Sequence, residues 1–468
     1  MPAALPLSGV RGARGFRSPV GRLRATILGV TQEPAHPHAR PAAASRERHA
    51  FADASDALQR HRTPSPVWGD EREAVSLALE WAASHTTVAT DPKTTARSAA
   101  DLQAEVGETI TEGGIGAVRA MELFDEVLLP ATRSSEDPMN LAYIPAAPTR
   151  AAVAFDTAVS AANVFGGIWE NGAGAIFAEN QVLRWLADLL GWPADSAGVF
   201  VAGGTSGNLS ALATARDHAL RTRGRRPDRG WALACASTAH SSVSSAARLL
   251  DMDVVTVPVD DQGHLTGGAL EHELAADERI CAVVVSGGTT NAGIVDPHKW
   301  LFAPYDCCAL LYRDPRPAAA AHSQHAAYLD SIDRGESNPA DLAAHLSRRT
   351  RGLPLWYSLA THGTAAYTAA IERCLSSCRT VARAIEEAEH LELLAAPELS
   401  VVVFRRPGWT PADYRRWSQR LAKDGTLLCV PTAFRGEVAL RLAFVNPSTD
   451  PQAVIEVLRT TMLEADGS

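Results

Sequence analysis

The polar and apolar positions first fall into a helical rhythm at residue 70, where "DEREAVSLALEWAASH" sets Val75, Leu77, Leu79 and Trp81 among charged neighbours and crowds acids into the first turn. Further along, the rhythm changes. Short valine-rich runs, "AGVFVAG" (197–203), "DVVTVPV" (253–259), "CAVVVSG" (281–287) and "CALLYRD" (308–314), are apolar at nearly every position. Such runs predict strands buried on both faces. "TSGNLSALATARDHALRTR" and "SSVSSAARLLD" lie between them and predict helices. Strands alternating with helices imply an α/β fold with a mostly parallel sheet covered on both sides.

The pattern shifts again near the C-terminus. A long helix near 364–388 leads into "LSVVVFRR" (399–406), then a helix opened by "TPAD". In that opening Thr410 can cap, Pro411 suits the first helical position and Asp413 completes a capping box. "TLLCV" and "VALRLAF" predict strands, and a helix closes the chain. These boundaries divide the chain into an N-terminal arm (1–65), a helical segment (66–135), a large α/β domain (136–389) and a small C-terminal α+β domain (390–468).

The arm is rich in Arg, Pro and Ala, has no hydrophobic period, and carries its first acid at Glu33, a composition that predicts disorder. An organellar leader shares that bias, but no cleavage logic accompanies it here. His36 and His38 lack a second ligand cluster, so no metal site is expected. A net charge of -9 offers no basic face to nucleic acid, and no apolar run approaches the roughly 18 to 20 residues of a membrane span. Seven scattered cysteines without a Cys-x-x-Cys pair argue against a disulfide framework and suit a reducing cytoplasm. Small-molecule partners are what remain.

Three segments carry candidate chemistry. In "VFVAGGTSGNLSALATAR" a strand runs through a Gly-rich turn into a helix, so Gly203 and Gly204 let a ligand approach the backbone, while Thr205 and Ser206 offer hydroxyls. The free N–H groups of the helix opening favour a phosphate. In "CASTAHSSVSSAARLLD" His240 follows a strand and precedes a helix with small residues on its first turn. In "PHKWLFAPYDCCALLY" Lys299 sits between a strand and an aromatic turn. A lysine in apolar company is costly unless its amine is used covalently.

The order Gly-Gly-Thr-Ser-Gly-Asn, Ala-His-Ser-Ser-Val, Gly-Thr-Thr, Pro-His-Lys-Trp and "LSRRTRGLPLW" resembles the group II pyridoxal-phosphate-dependent amino-acid decarboxylases, among them the aromatic amino acid, glutamate and diaminobutyrate enzymes. The resemblance runs from about residue 70 to the end. It implies fold type I, the architecture of pyridoxal-phosphate-dependent transferases, a homodimer with sites at the subunit interface, and decarboxylation of an L-amino acid to the amine and CO2. Lys299 is then similar to the Schiff-base lysine and His240 to the imidazole that stacks on the cofactor ring. Thr205 and Ser206 resemble the phosphate cradle, His298 a further phosphate contact, and Thr290 the threonine beside the cofactor. Tyr143 and Pro145, in "LAYIPAAP", resemble the lining of the substrate pocket.

The chain also departs from that pattern. Family members carry a helix and a strand between the Gly-Thr-Thr and Pro-His-Lys-Trp elements, and that strand ends in the aspartate that pairs with the ring nitrogen. Here "GTTNAGIVD" runs directly into "PHKW". Because successive parallel strands need a crossover of roughly a dozen residues, 291–297 cannot supply both crossover and strand, and the sheet is expected to be one strand short. Asp260 precedes a turn, and Asp296 belongs to the lysine's own lead-in. Tyr328 resembles a landmark before the family's flexible loop, Leu342 stands where an aromatic is expected, and the proton donor stays unassigned. A catalytically impaired cofactor-binding homologue, and an aminotransferase or other pyridoxal-phosphate lyase, remain open alternatives.

Overall fold

The computed structural model describes residues 72–87, 96–144, 147–261, 263–287, 291–324 and 336–463. The buried strands owe their all-apolar sequences to two-sided packing. β1 (Ala197–Val201) sends Phe200 toward a cluster with Phe302, Leu355 and Tyr367, while Val199 and Val201 point into another with Leu310 and Tyr312. β2 (Trp231–Ala236) alternates in the same way, with Trp231, Leu233 and Cys235 on one side and Ala232 and Ala234 on the other. This is the period of two, realised on two covered faces.

The strands form two separate sheets around this core. β2 pairs in parallel with β3 (Met252–Val257) and with β4 (Ile280–Val284), giving the order β3-β2-β4. The second sheet has the order β1-β6-β5, with β5 at Ala292–Val295 and β6 at Cys308–Tyr312. β6 runs antiparallel to both neighbours, so β1 and β5 share a direction. β4 and β5 are therefore edge strands of different sheets, and only 288–290 separate Gly287 from Asn291. The parallel pairing expected from sequence is realised by β2 with β3 and β4, whereas the runs at 197–203 and 308–314, expected in the same sheet, pair antiparallel with each other in the second one.

Helices cover both sheets. In chain order they are α1 (Arg72–Thr87), α2 (Ala99–Val106), α3 (Ala117–Leu123), α4 (Arg150–Ala162), α5 (Trp169–Leu189), α6 (Gly204–Arg223), α7 (Ser241–Leu249), α8 (Gly267–Ala276), the short α9 (Pro297–Trp300) and α10 (Arg316–His322). α11 (Leu353–Glu387) begins eleven residues before the expected start and bends at Gly363, whose φ of 73° is a left-handed conformation that suits glycine. Gly352, just before it, lies so close to Phe200 that a Cβ there would meet the ring at 2.3 Å. That contact seats α11 on β1.

The C-terminal sheet has the order β7-β8-β10-β9, with β7 at Glu392–Ala395, β8 at Val401–Arg405, β9 at Pro431–Phe434 and β10 at Glu437–Ala443. α12 (Pro411–Lys423) and α13 (Pro451–Met462) pack on it, and the capping box at Thr410 and Asp413 is formed. "TLLCV" is not a strand. Leu428 makes a single bridge to Asn140, while Leu427 and Cys429 turn into the core, because residues 139–141 satisfy the local backbone before a ladder can form. Residues Glu71–Ser468 group as one compact unit, and the expected arm lies outside the described residues.

One buried ion pair ties these layers together. The Arg348 guanidinium donates to both carboxylate oxygens of Glu179 at 2.7 and 2.8 Å and to the Gly166 carbonyl at 2.7 Å. Glu179 in turn accepts from the Gly352 backbone at 2.8 Å. The "LSRR" element thus locks α5 to the entry of α11.

Candidate active site

A cleft of about 1020 Å³ opens between the edges of β4 and β5, floored by the first turns of α6. Lys299, His298, His240 and Thr205 all line it, together with Asp296, Asn208 and Tyr305. Residues far apart in sequence reach one place because β1, β2 and β5 each end beside it. The carboxyl ends of strands in open α/β sheets are where ligand crevices form.

Each side chain is held by its own local structure. Lys299 lies on α9, and its Nζ is 2.7 Å from Asp296 Oδ2. Asp296 ends β5, and burial acts most strongly on its carboxyl, pushing it up. Hydrogen bonds from Lys299 and Cys308 and the charges of Lys299 and His298 outweigh that burial and hold it below its ordinary value. The carboxylate also sits 3.1 Å from where a Cβ on Gly204 would be, so a side chain at that glycine would crowd it. Oδ1 is buried and makes no hydrogen bond.

His240 is the N-cap of α7, and the Ser242 backbone N–H donates to its Nδ1 at 3.1 Å. A neutral ring that accepts at Nδ1 carries its proton on Nε2. Asn208 on α6 donates to Ser242 Oγ at 2.8 Å, which fixes the hydroxyl beside Nδ1. His298 Nδ1 lies 2.6 Å from the Cys307 carbonyl, and the His298 ring sits 5.2 Å from that of Tyr305. Burial, ahead of the lowering influence of Lys299 and a Ser135 hydrogen bond, pushes the Tyr305 phenol up, so it stays protonated at neutral pH.

The start of α6 is the anion seat. Its N-cap, Gly203, has no side-chain cap, and a Cβ on Gly203 would meet nothing within 4 Å. Uncapped N–H groups at the start of a 20-residue helix, with Thr205 beside them, are groups to which an anion can bind. A phosphorylated aldehyde fits this set, since one end meets the cradle while Lys299 Nζ and the His240 ring border the same space.

Not every expected residue arrives there. Ser206 lines a separate, smaller cavity behind α6. Tyr143 is 66% exposed with a φ of 56° and is not among the residues that line the cleft. Thr290, Pro145 and Tyr328 lie outside the described residues. Sequence reasoning did not identify Asn208, Ser242 or Tyr305. Tyr305 lies six residues beyond Lys299 in the aromatic turn already flagged, which is the signal that could have found it.

Comparison with known proteins gives the family. The Pyridoxal-dependent decarboxylase conserved domain matches residues 119–297 and 294–406, so Ile294–Pro297 fall in both matched stretches. An aromatic-L-amino-acid decarboxylase of Bacillus atrophaeus is 24% identical over 76% of this chain and 87% of its own length. An L-2,4-diaminobutyrate decarboxylase of Rhizobium meliloti is 26% identical over 75% of this chain and 82% of its own. Among solved structures, that of Oryza sativa TDC with PLP and tryptamine superposes with a TM-score of 0.75 at 21% identity, over 86% of this chain and 99% of that one.

Proposed function

The chain belongs to the pyridoxal-dependent decarboxylase family, whose cofactor is pyridoxal phosphate, and from that premise we propose that it decarboxylates an L-amino acid to the corresponding amine and CO2. The observation that carries the reading is the convergence of Lys299, His240 and the α6 cradle on one cleft. When bound, pyridoxal phosphate supplies an electron sink for the pair left behind when a carboxylate departs.

The chain's own residues have distinct tasks in this reading. Lys299 Nζ would hold the cofactor through its aldehyde, and Asp296 keeps that amine in the cleft. The N–H groups of α6 and Thr205 receive the phosphate, with His298 bordering it. His240 offers a ring face, oriented by Ser242 and Asn208. Tyr305 is a protonated phenol exposed to the cleft and could give up a proton there. A homodimer is part of the proposal, and would give Tyr143 a pocket to serve on a partner chain. Cytoplasmic residence also belongs to it, supported by seven free cysteines.

A second reading, a cofactor-binding chain with impaired turnover, rests on a specific feature. Among the described residues lining the cleft the only carboxylate is Asp296, and it is engaged by Lys299. The two sheets end on either side of the cleft without a strand between them, and the two matched stretches overlap at Ile294–Pro297. We propose that a segment bearing one central strand and the ring-nitrogen carboxylate is missing at this join. Loss of such a partner costs on the order of 10³-fold in rate.

The deciding experiment is incubation of the cofactor-loaded protein with a panel of L-amino acids, scoring CO2, amine and keto acid. Stoichiometric amine and CO2 support decarboxylation. Keto acid supports transamination, and a loaded protein that yields none of the three supports the impaired reading.

A further inference from the structure

Behind the first turn of α6 lies a cavity of about 190 Å³ that none of the assigned roles uses. Its polar wall is made by Ser206, Ser210, His345, Ser347, Arg348 and Arg351, and no carboxylate lines it. Three nitrogens of these residues, His345 Nε2, Arg348 Nε and Arg351 Nε, are buried and make no hydrogen bond. Arg351 Nε faces Asp306 Oδ1 at 3.0 Å as an ion pair without hydrogen-bond geometry. Arg348 is 5% exposed, and although its terminal nitrogens are taken by Glu179 and Gly166, its Nε is left over.

Buried donors without partners are costly, and a native structure answers them with water or a ligand. The Nε groups of Arg348 and Arg351 can only donate, and the serine hydroxyls can donate beside them, so a complementary occupant accepts hydrogen bonds from both arginines. The volume exceeds several times the ~30 Å³ that one water takes up in the liquid, enough for a tetrahedral four-oxygen anion. Burial, followed by the charges of Arg348, Arg351 and His322, lowers the His345 pKa to about 4 and keeps its ring neutral.

We propose that this cavity is a binding site for a free tetrahedral oxyanion, inorganic phosphate or sulfate, distinct from the cleft that holds Lys299. The two are separated by the α6 backbone, with Thr205 on the cleft side and Ser206 on this one. The proposal goes beyond the decarboxylase reading and does not depend on it.

The test is titration calorimetry of the full-length protein with inorganic phosphate, sulfate and chloride at constant ionic strength. His345→Gln and Ser347→Ala alter this cavity but not the cleft, while Lys299→Ala removes the cleft's cation. Saturable binding of phosphate and sulfate over chloride, weakened at least fivefold by Ser347→Ala or His345→Gln and changed less than twofold by Lys299→Ala, is the expected result. No saturable binding, binding matched by chloride, or binding kept in both cavity variants would overturn it. Because Ser347 is exposed, its variant folds even if the histidine variant does not.

Discussion

Lys299 and Asp296 form a 2.7 Å ion pair across the single turn of α9, in the cleft that Gly203, Gly204 and Thr205 also line. The lysine is thereby kept inside the cleft without any ligand present. The same carboxylate is the one acid available to the cleft among the described residues.

Replacing Asp296 with Asn should change how stability responds to acid. The Asp296 carboxyl is held below its ordinary value of 3.8, so its contribution is fully present above that value and is lost as pH falls through the lower folded-state value. Lys299 is 39% exposed, so solvent screening limits the pair to about 1 kcal/mol or less. Thermal unfolding of both proteins at pH 7 and pH 3 measures this. The wild type should lead at pH 7, and the gap should narrow at pH 3.

Arg348→Ala should be severe. It strands Glu179 with 2% exposure and no guanidinium, and breaking one side of a buried pair costs about 3 to 5 kcal/mol. Denaturant unfolding should show that loss, while Arg349→Ala, which removes an exposed guanidinium from a partly buried Asp156, should cost less, about 1 kcal/mol.

His345 makes the fold sensitive to mild acid. Its folded pKa of about 4 lies below the ordinary 6.5, so the neutral ring's contribution is intact above 6.5 and drains away as pH drops toward 4. A shift of this size corresponds to something on the order of 3 kcal/mol. His345→Gln, read by denaturant midpoints from pH 7 to pH 4.5, should flatten that decline.

The sequence made some of this legible for definite physical reasons. β1 and β6 announced themselves because strands buried on both faces must be apolar at every position, whereas β4, an edge strand with Val283 exposed, was legible from its valine content. The capping box at Thr410 and Asp413 was readable because it is purely local. β7 and β9 were not, since four-residue strands with mixed burial leave little period to detect. The site was legible in its parts, Lys299, His240 and Thr205, because motif order carries them. Ser206 was not separable from Thr205, because which side of a helix start a residue faces is settled only by packing against the "HLSRR" segment. The relay from Asn208 through Ser242 to His240 spans α6 and α7 and leaves no mark along the chain.

Borohydride reduction of the protein mixed with pyridoxal phosphate, followed by peptide mass mapping, tests the central claim most directly. The chain holds only three lysines, Lys93, Lys299 and Lys423, so the assignment is unambiguous. One phosphopyridoxyl group on the Lys299 peptide, absent from Lys299→Ala, is the result this account predicts. A protein that takes up no label, or takes it up equally on Lys93 and Lys423, would contradict it.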